Sequence, residues 1–206
     1  MSFSLTPEET RLVSDAELLL RKNGIIEKVY GLMGELHRSL EALPQIRSFP
    51  FPEGCLARGA KISKGENYRG LPYVILDYPR LFSRESIFAF RTLFWWGHDF
   101  ICTLHLAGAA YHDYRESLVR QYPLLRSHHF LAATGDDPWV HHPDEEAFVP
   151  MEEISADGWG RELEQRSFLK LARRTPLQEW DAVVAEGQHS FGVLLEALGE
   201  NSGLGV

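Results

Sequence analysis

Residues 87–106 constrain the fold of this chain more than any other stretch. They read IFAFRTLFWWGHDFICTLHL, in which two arms rich in aromatic and β-branched residues flank the pair Gly97-His98. A two-residue loop that begins with glycine suits a type II′ turn, whose twist matches that of paired strands. The stretch therefore predicts a long antiparallel β-hairpin with Gly97 and His98 as its loop.

The two faces of this hairpin follow from the register that such a loop sets. Thr92 would lie opposite Thr103, and side chains would alternate between the faces along each arm. One predicted face is apolar except for Arg91 and comprises Ile87, Ala89, Leu93, Trp95, Phe100, Cys102, Leu104 and Leu106. The other face is mixed and comprises Phe88, Phe90, Thr92, Phe94, Trp96, Asp99, Ile101, Thr103 and His105. A slip of one residue would scramble these sets, so both faces depend on the loop.

Two further strands are predicted before the hairpin, over residues 56–63 and 73–78. The turn-rich sequence KGENYRGLP separates them. Pro79 is expected to end the second strand, because proline cannot donate a hydrogen bond to a ladder. Together with the hairpin, these strands predict a four-stranded antiparallel meander over residues 56–106.

Helices are expected at both ends of the chain. They are predicted within residues 1–43 and 161–198, the second group being divided after Arg173, and they would cover the core face of the meander. The sequence therefore predicts a single α+β domain over residues 1–198. A frayed tail is expected over residues 199–206, beyond the glycine that ends the last helix.

The N-terminal helices carry one pattern with two interpretations. A capping box of Thr6 and Glu9 starts the first helix, and Asn23-Gly24 is expected to interrupt it. The second helix, over residues 25–43, has an apolar stripe of Ile26, Val29, Met33, Leu36, Leu40 and Leu43. Packing of this stripe on the sheet is the favoured interpretation, because the repeat is shorter than a coiled coil requires. The alternative is the seam of a homodimer.

Residues 127–160 differ in composition from the rest of the chain. They contain no Lys or Arg, many acidic residues, and the histidines His128, His129, His141 and His142. Three prolines break regular structure, so we predict a long irregular excursion outside the core that acts as a flap or an oligomer contact. Trp139 and Phe148 would anchor it to the body. The pKa values of its histidines are expected to be raised by the nearby carboxylates.

Composition limits the partners and the compartment. A formal net charge of −8 argues against general affinity for nucleic acid, which needs a basic surface. No stretch supplies the roughly 18 consecutive apolar residues of a membrane span, and the acidic start of the chain does not resemble a signal peptide. The two cysteines, Cys55 and Cys102, give no disulfide framework. A cytoplasmic protein with neither a nucleic-acid nor a membrane partner is predicted.

A basic cluster between residues 58 and 91 contrasts with the acidic whole. Seven Lys and Arg residues face only three acidic residues there, and such segregation of charge can attract an anionic ligand. Lys61, Lys64 and Arg69 lie near glycines whose exposed N–H groups could also hold an anion. The alternative interpretation is a solvated strand edge, since lysines on edge strands prevent aggregation.

Arg91 is the second reason to expect a ligand. A guanidinium on an apolar face must be paired, with Asp77 or Asp99 as the available carboxylates, or must bind a ligand. An aromatic face with a few polar groups suits a pocket. The predicted ligand-binding residues are Arg91, Thr92, Asp99, Thr103 and His105 on the hairpin, with Lys61, Lys64 and Arg69 at the rim.

No sequence motif identifies a reaction. The chain lacks the GxSxG, HExxH, paired CxxC and dinucleotide patterns, so catalytic residues and cofactors are unassigned and no metal site is predicted. The favoured function is binding of a small anionic ligand at the sheet. A homodimeric interaction protein without catalysis is the first alternative, and a metal-dependent hydrolase that uses His and Asp residues is the second.

Overall fold

The computed structural model describes residues 3–143 and 147–199. The strands are β1 (Lys61–Tyr68), β2 (Leu71–Phe82), β3 (Ser86–Trp95), β4 (Asp99–Gly108), β5 (Leu131–Ala133), β6 (Phe148–Pro150) and β7 (Phe168–Pro176). The helices are α1 (Pro7–Val13), α2 (Ala16–Glu41), α3 (Gln45–Ser48), α4 (Ala109–Arg120), α5 (Tyr122–Ser127), α6 (Ala156–Gln165) and α7 (Val183–Gly199). Short 3-10 helices span Met151–Glu153 and Leu177–Ala182.

The predicted α+β class, with an antiparallel sheet and helices at both ends of the chain, is confirmed. The predicted strand number is wrong, because the described residues form a seven-stranded sheet in the order β1-β2-β3-β4-β7-β5-β6. The meander of β1 to β4 is extended by β7, β5 and β6, and every neighbouring pair is antiparallel. No helix of the described residues combines the length and the apolar character of a membrane span.

The strand β7 replaces the second half of the helix predicted before Arg173, whose first half lies in α6. It pairs with β4 on one side and with β5 on the other, so it lies inside the sheet. A strand that is covered on both faces has apolar residues at consecutive positions and loses the alternation that identifies strands. Residues 168–172, FLKLA, have this character and are buried, which explains why the helix prediction was wrong.

The strand β2 continues through Pro79 to Phe82, contrary to prediction. The register with β3 shifts between Asp77 and Arg80, which is the mark of a bulge. A bulge leaves residues of one strand unpaired, and proline is tolerated there because no ladder donor is lost.

The hairpin of β3 and β4 is shifted by one residue from the predicted register. Its loop has three residues, Trp96, Gly97 and His98, and Gly97 has a φ of +78°. Such a loop with one left-handed residue is a common hairpin connection. Thr92 consequently lies opposite Cys102, and Thr103 lies opposite Arg91. The predicted Thr92–Thr103 pair is therefore wrong.

One face of the sheet is covered by the long helices α2, α4 and α7. Its hairpin residues are Phe88, Phe90, Phe94, Phe100, Cys102, Leu104 and Leu106. The α2 stripe of Ile26, Val29, Met33, Leu36 and Leu40 is buried in the same cluster, as the favoured interpretation predicted. It is not an exposed dimer seam. Asn23-Gly24 does not interrupt α2, which runs from Ala16, after the Asp15 cap, to Glu41.

The opposite face carries a smaller apolar cluster of Ile75, Leu93, Trp95, Ile101, Ala133, Phe148 and Ala172. Residues 131–140 and 147–148 contribute several of its apolar side chains. The expectation that residues 127–160 lie outside the core is therefore wrong for much of the segment, since Phe130, Met151 and Trp159 are also buried. Phe148 is buried as predicted, whereas Trp139 is 52% exposed, with its ring edge-on to that of His105.

Candidate functional site

The candidate site lies on the sheet face opposite the long helices, beneath residues 137–143. Four neighbouring strands supply its polar side chains, and their register brings these together. Asp77 of β2 pairs with Arg91 of β3, and Arg91 pairs with Thr103 of β4. His105 of β4 pairs with Lys170 of β7. Partners in adjacent strands share a face, so these five residues form a polar row across an otherwise apolar surface.

Arg91 is held by a bidentate ion pair with Asp77. The Nε–Oδ1 distance is 2.6 Å and the Nη2–Oδ2 distance is 3.0 Å, the fork geometry that guanidinium and carboxylate favour. Of the two carboxylates that the sequence offered, Asp77 is thus the partner. Asp99 instead accepts a hydrogen bond from Arg174 Nε at 2.8 Å. Arg91 Nη1 also lies 3.2 Å from His141 Nε2.

Lys170 is the unusual residue of the site. It is only 2% exposed, and its Nζ donates to the carbonyl oxygens of Val140 and of Pro138, the latter at 3.2 Å. Within the described part of the chain, no carboxylate forms an ion pair with it. Burial and, second, the charge of Arg91 lower the pKa of Lys170 to about 7, against a smaller raising effect of Asp137. The ammonium ion is therefore close to its titration point at neutral pH.

The two histidines of the site are neutral at pH 7. Burial, followed by the charges of Lys170 and Arg91, lowers the pKa of His105 to about 3. Burial and then Arg91 lower the pKa of His141 to about 3 as well. His128 also has a lowered pKa, first because of burial. The predicted rise in the pKa values of the histidines of residues 127–160 is thus wrong for His128 and His141, since burial and cationic neighbours outweigh the acidic residues.

His105 also has an unsatisfied ring nitrogen. Its Nε2 is buried and has no hydrogen-bond partner among the described residues. A buried polar atom without a hydrogen-bond partner is rare in folded proteins. His105 and Lys170 line the same small cavity.

The cavity at this cluster is small and closed. It has a volume of about 10 Å³, the lower limit for a single water molecule. Its lining comprises Phe82, Ala89, Arg91, Thr103, His105, His141 and Lys170. A second cavity of about 230 Å³ follows along the same face and is lined by Arg69, Trp95, His98, Asp99, Ile101, His142, Pro143 and Arg174. Residues 141–143 thus contribute to the walls of both cavities.

Tyr68 fixes the position of this wall. Its hydroxyl accepts a hydrogen bond from the backbone N–H of His141 at 2.9 Å and lies 2.8 Å from His142 Nδ1. Trp95 donates from its indole nitrogen to the Tyr68 carbonyl oxygen at 3.2 Å, and its ring stacks on that of His98 with 3.6 Å between centroids. Residues 141–142 are therefore held against the sheet by hydrogen bonds and by ring contacts with Tyr68 and Trp95.

The structure divides the ligand-binding residues predicted from the sequence into three groups. Arg91, Thr103 and His105 meet at the small cavity, while Arg69 and Asp99 line the larger one. The remaining residues lie elsewhere. Thr92 faces the helical layer, with its hydroxyl 3.5 Å from Cys102 Sγ, because of the register shift. Lys61 and Lys64 are exposed on β1, and the Lys64 ammonium lies over the Tyr30 ring of α2.

The sequence did not reveal Lys170 and His141 as site residues. Lys170 was hidden because β7 was predicted to be a helix, in which a lysine between apolar residues would reach solvent. The available signal was its place between Leu169 and Leu171 in a five-residue run with no other charge. His141 was noticed only as one of several histidines, and its contact with Arg91 depends on tertiary structure.

A surface groove of about 1040 Å³ lies on the helical side between α3, α4 and α7. Its lining contains Phe49, Tyr114, His128, His189 and Glu196 but no Lys or Arg. It therefore offers an anion no fixed positive charge.

Within residues 3–143 and 147–199, no three His, Cys, Asp or Glu side chains are arranged to hold a metal ion. These residues therefore provide no set of metal ligands for the metal-dependent hydrolase alternative.

Comparison with known proteins does not assign a function to this site. No protein-family model matches the chain, and no curated protein matches it.

Proposed function

We propose that the protein binds a small anionic ligand on the sheet face beneath residues 137–143, with Lys170 as its main cationic partner. The observation that carries the proposal is a buried ammonium whose hydrogen-bond partners are two backbone carbonyls. Burying a charge without a counter-charge is costly. An anion beside Nζ would supply that counter-charge and would oppose the burial and the Arg91 charge that lower the pKa of Lys170.

The neighbours of Lys170 add to this preference. Arg91 keeps the site electropositive, although Asp77 balances most of its charge. His105 could donate a hydrogen bond from Nε2 to a bound anion in the tautomer that carries its proton there. The Thr103 hydroxyl lines the same cavity. Donors from β3, β4 and β7 therefore converge on one point, an arrangement that suits a ligand with few atoms.

Ligand size and access follow from the two cavities. The closed cavity of about 10 Å³ admits no ligand larger than water, so binding requires residues 137–143 to move away from the sheet. The cavity of about 230 Å³ further along the same face has room for the uncharged part of a ligand. We therefore favour a monocarboxylate of a few carbon atoms over a nucleotide or another large polyanion.

Thermal-shift and calorimetric titrations at pH 6.5 test the proposal, with formate, acetate, glyoxylate and inorganic phosphate as probes. At this pH Lys170 is mostly protonated, so at least one carboxylate should raise the melting temperature in a concentration-dependent manner. Lys170→Met should weaken that binding at least tenfold. Lys64→Met is the matched control, because it removes an exposed lysine of the sequence-predicted cluster, and it should bind like the wild type.

Two outcomes contradict the proposal. One is the absence of any shift in the wild type at millimolar concentrations of all four probes. The other is equal loss of binding in the two lysine variants, which would indicate an effect of overall charge. Loss in Lys64→Met alone would instead place the anion at β1, where the sequence first suggested it.

A further inference from the structure

An N-terminal arm, defined here as residues 3–25, carries most of the exposed large apolar side chains of the described chain. They are Phe3, Leu5, Leu12, Val13, Leu18, Leu19, Leu20 and Ile25, with exposed fractions from 37% for Ile25 to 99% for Phe3. The helix α1 within the arm has no buried residue. A cluster of exposed apolar side chains on this scale marks an interaction surface.

The arm is exposed because α2 is longer than the body beneath it. The helix has 26 residues and is thus about 39 Å long, but its buried stripe starts only at Ile26. Leu19 lies one heptad before Ile26 and continues that stripe into solvent. Lys22 forms an ion pair with Glu66 of β1 and is the last contact of this kind between the arm and the sheet among the described residues.

A partner is also needed for the arm to stay helical. The helix α1 has seven residues, and isolated helices shorter than about 12 residues are marginal in water. Its capping box, in which the Thr6 N–H donates to Glu9 at 2.7 Å and the Glu9 N–H donates to the Thr6 hydroxyl at 3.2 Å, stabilises only the first turn. Burial of an apolar face is the larger stabilising term for most helices.

We infer that the N-terminal arm packs against the arm of a second copy of this chain, in a two-fold symmetric antiparallel dimer. Charge supports this occupant. The first part of the arm holds Glu8, Glu9, Asp15 and Glu17 with one basic residue, Arg11, whereas residues 21–28, which continue three residues past the arm, hold Arg21, Lys22 and Lys28 with one acid, Glu27. Arg21 and Lys22 form ion pairs with Glu17 and Glu66 within the chain, so the charge pairing between the copies centres on Lys28. Antiparallel pairing places the acidic part of each copy beside the basic part of the other. Parallel pairing would place like charges together.

The available area agrees with a stable dimer. Eight large apolar side chains, most of them about half exposed or more, present an area on the order of the 800 Å² that each partner buries in a standard interface. This surface is distinct from the dimer seam considered from the sequence, which is buried under α7. The dimer is also independent of the anion site, since its residues do not line either cavity of that site.

A membrane surface is the competing occupant, and the charge of the arm disfavours it. Interfacial helices are rich in Lys and Arg, which anionic lipids attract. Residues 3–25 hold four acidic and three basic side chains. A second copy can satisfy both signs of charge, whereas an anionic lipid surface satisfies only one.

Light scattering after size-exclusion chromatography tests the dimer over a range of about 1–100 μM. The wild type should be a dimer in this range. The double variant Leu18→Glu/Leu19→Glu should raise the dimer dissociation constant at least tenfold, because it places charge in the interface without touching the core. Val119→Glu on α4 is the matched control, since Val119 is as exposed as Ile25, and it should dimerise like the wild type. A wild type that is monomeric at 100 μM, or a double variant with unchanged affinity, overturns the inference.

Charge reversal tests the antiparallel arrangement. Glu8→Lys and Lys28→Glu should each weaken the homodimer by roughly two- to fivefold, the effect expected for exposed charge pairs, and an equimolar mixture should regain wild-type affinity. A Glu8→Lys homodimer as tight as the wild type overturns the antiparallel packing.

Flotation of the protein with vesicles of phosphatidylcholine and phosphatidylserine should recover none of it with the lipid. Recovery of a monomer with the vesicles would assign the arm to membranes and overturn the dimer.

Discussion

His105 and Lys170 are register partners on the neighbouring strands β4 and β7, so an imidazole and an ammonium group lie side by side on one buried surface. The charge of Lys170 is one of the causes that lower the pKa of His105 to about 3. A positive charge on either residue therefore disfavours protonation of the other. The site holds its cationic charge on Lys170 and keeps the imidazole neutral, which leaves the imidazole free to donate or accept a hydrogen bond.

The stability of the protein should rise with pH between about 7 and 10. The folded-state pKa of Lys170 is about 7, below its value of about 10.4 in an unfolded chain. Between these values the unfolded state binds more protons, so the free energy of unfolding increases with pH, with a limiting slope of about 1.4 kcal/mol per pH unit. Urea denaturation at pH 7.5, 8.5 and 9.5 measures the slope. Lys170→Met should reduce it, and an equal slope in this variant contradicts the assignment.

Binding of an anion at pH 8 should take up a proton. Lys170 is then mostly neutral in the free protein, and an adjacent negative charge raises its pKa. Calorimetric titration with a carboxylate in buffers of different ionisation enthalpy should show heats that vary with the buffer. At pH 6 the ammonium is already present, so the dependence on buffer should nearly vanish. Equal proton uptake at the two pH values would be inconsistent with Lys170 as the partner.

Loss of the Arg91 guanidinium should strongly destabilise the fold. Asp77 is buried and its bidentate partner is Arg91, so Arg91→Ala leaves a buried carboxylate without a counter-charge. Such changes cost about 3–5 kcal/mol. Chemical denaturation should show a loss of this order, and the double variant Arg91→Met/Asp77→Leu should recover much of it because no buried charge remains. A cost below about 1 kcal/mol for Arg91→Ala would mean that the pair is effectively solvated.

Two glycines of α7 should respond in opposite directions to replacement by alanine. A Cβ at Gly187 would lie 2.7 Å from Leu36 Cδ1 of α2, whereas a Cβ at Gly192 has no atom within 4 Å. Gly192→Ala should stabilise the helix by up to about 1 kcal/mol. Gly187→Ala gains the same propensity but forces Leu36 to move in a packed core, with an expected net loss of about 1–2 kcal/mol. Thermal denaturation of both variants measures the difference, and equal stabilisation would mean that α2 and α7 approach less closely.

Neither cysteine should react in the native state. Burial raises the pKa of Cys55 to about 12 and that of Cys102 to about 11, so the thiolate that reacts is scarce near neutral pH. Incubation with iodoacetamide at pH 8 should leave both thiols unmodified by mass spectrometry, and addition of urea should expose both together. Rapid modification of either residue in the folded protein would place it at the surface.

The sequence predicted those features that local pattern determines. The capping box of α1, the β3–β4 hairpin and the core stripe of α2 follow from spacing that spans a few residues. The hairpin register did not follow, because the choice between a two-residue and a three-residue loop at Gly97 moves every partner by one position. That single shift separated Thr92 from Thr103 and His105, and it brought Arg91 beside Thr103.

The remaining errors come from tertiary context. A strand that is buried on both faces, as β7 is, carries no alternation, so the position of Lys170 inside a sheet could not be read from its neighbours. The predicted rise in the histidine pKa values was wrong for a related reason. Local sequence places acids near His141, but the folded chain surrounds it with Arg91 and Lys170 instead. Burial and contacts with residues distant in the sequence determine both the strand β7 and the histidine pKa values.

The position of β7 between β4 and β5 has a consequence for synthesis of the chain on the ribosome. The strands β1 to β4 can pair as soon as Gly108 has emerged, since each follows its neighbour in the chain. The strands β5 and β6 emerge next, but β5 joins the sheet only through β7, which is translated last. The polar row of the candidate site is therefore completed only near the end of translation. A nascent chain stalled before residue 168 lacks both Lys170 and the strand that holds the cover in place.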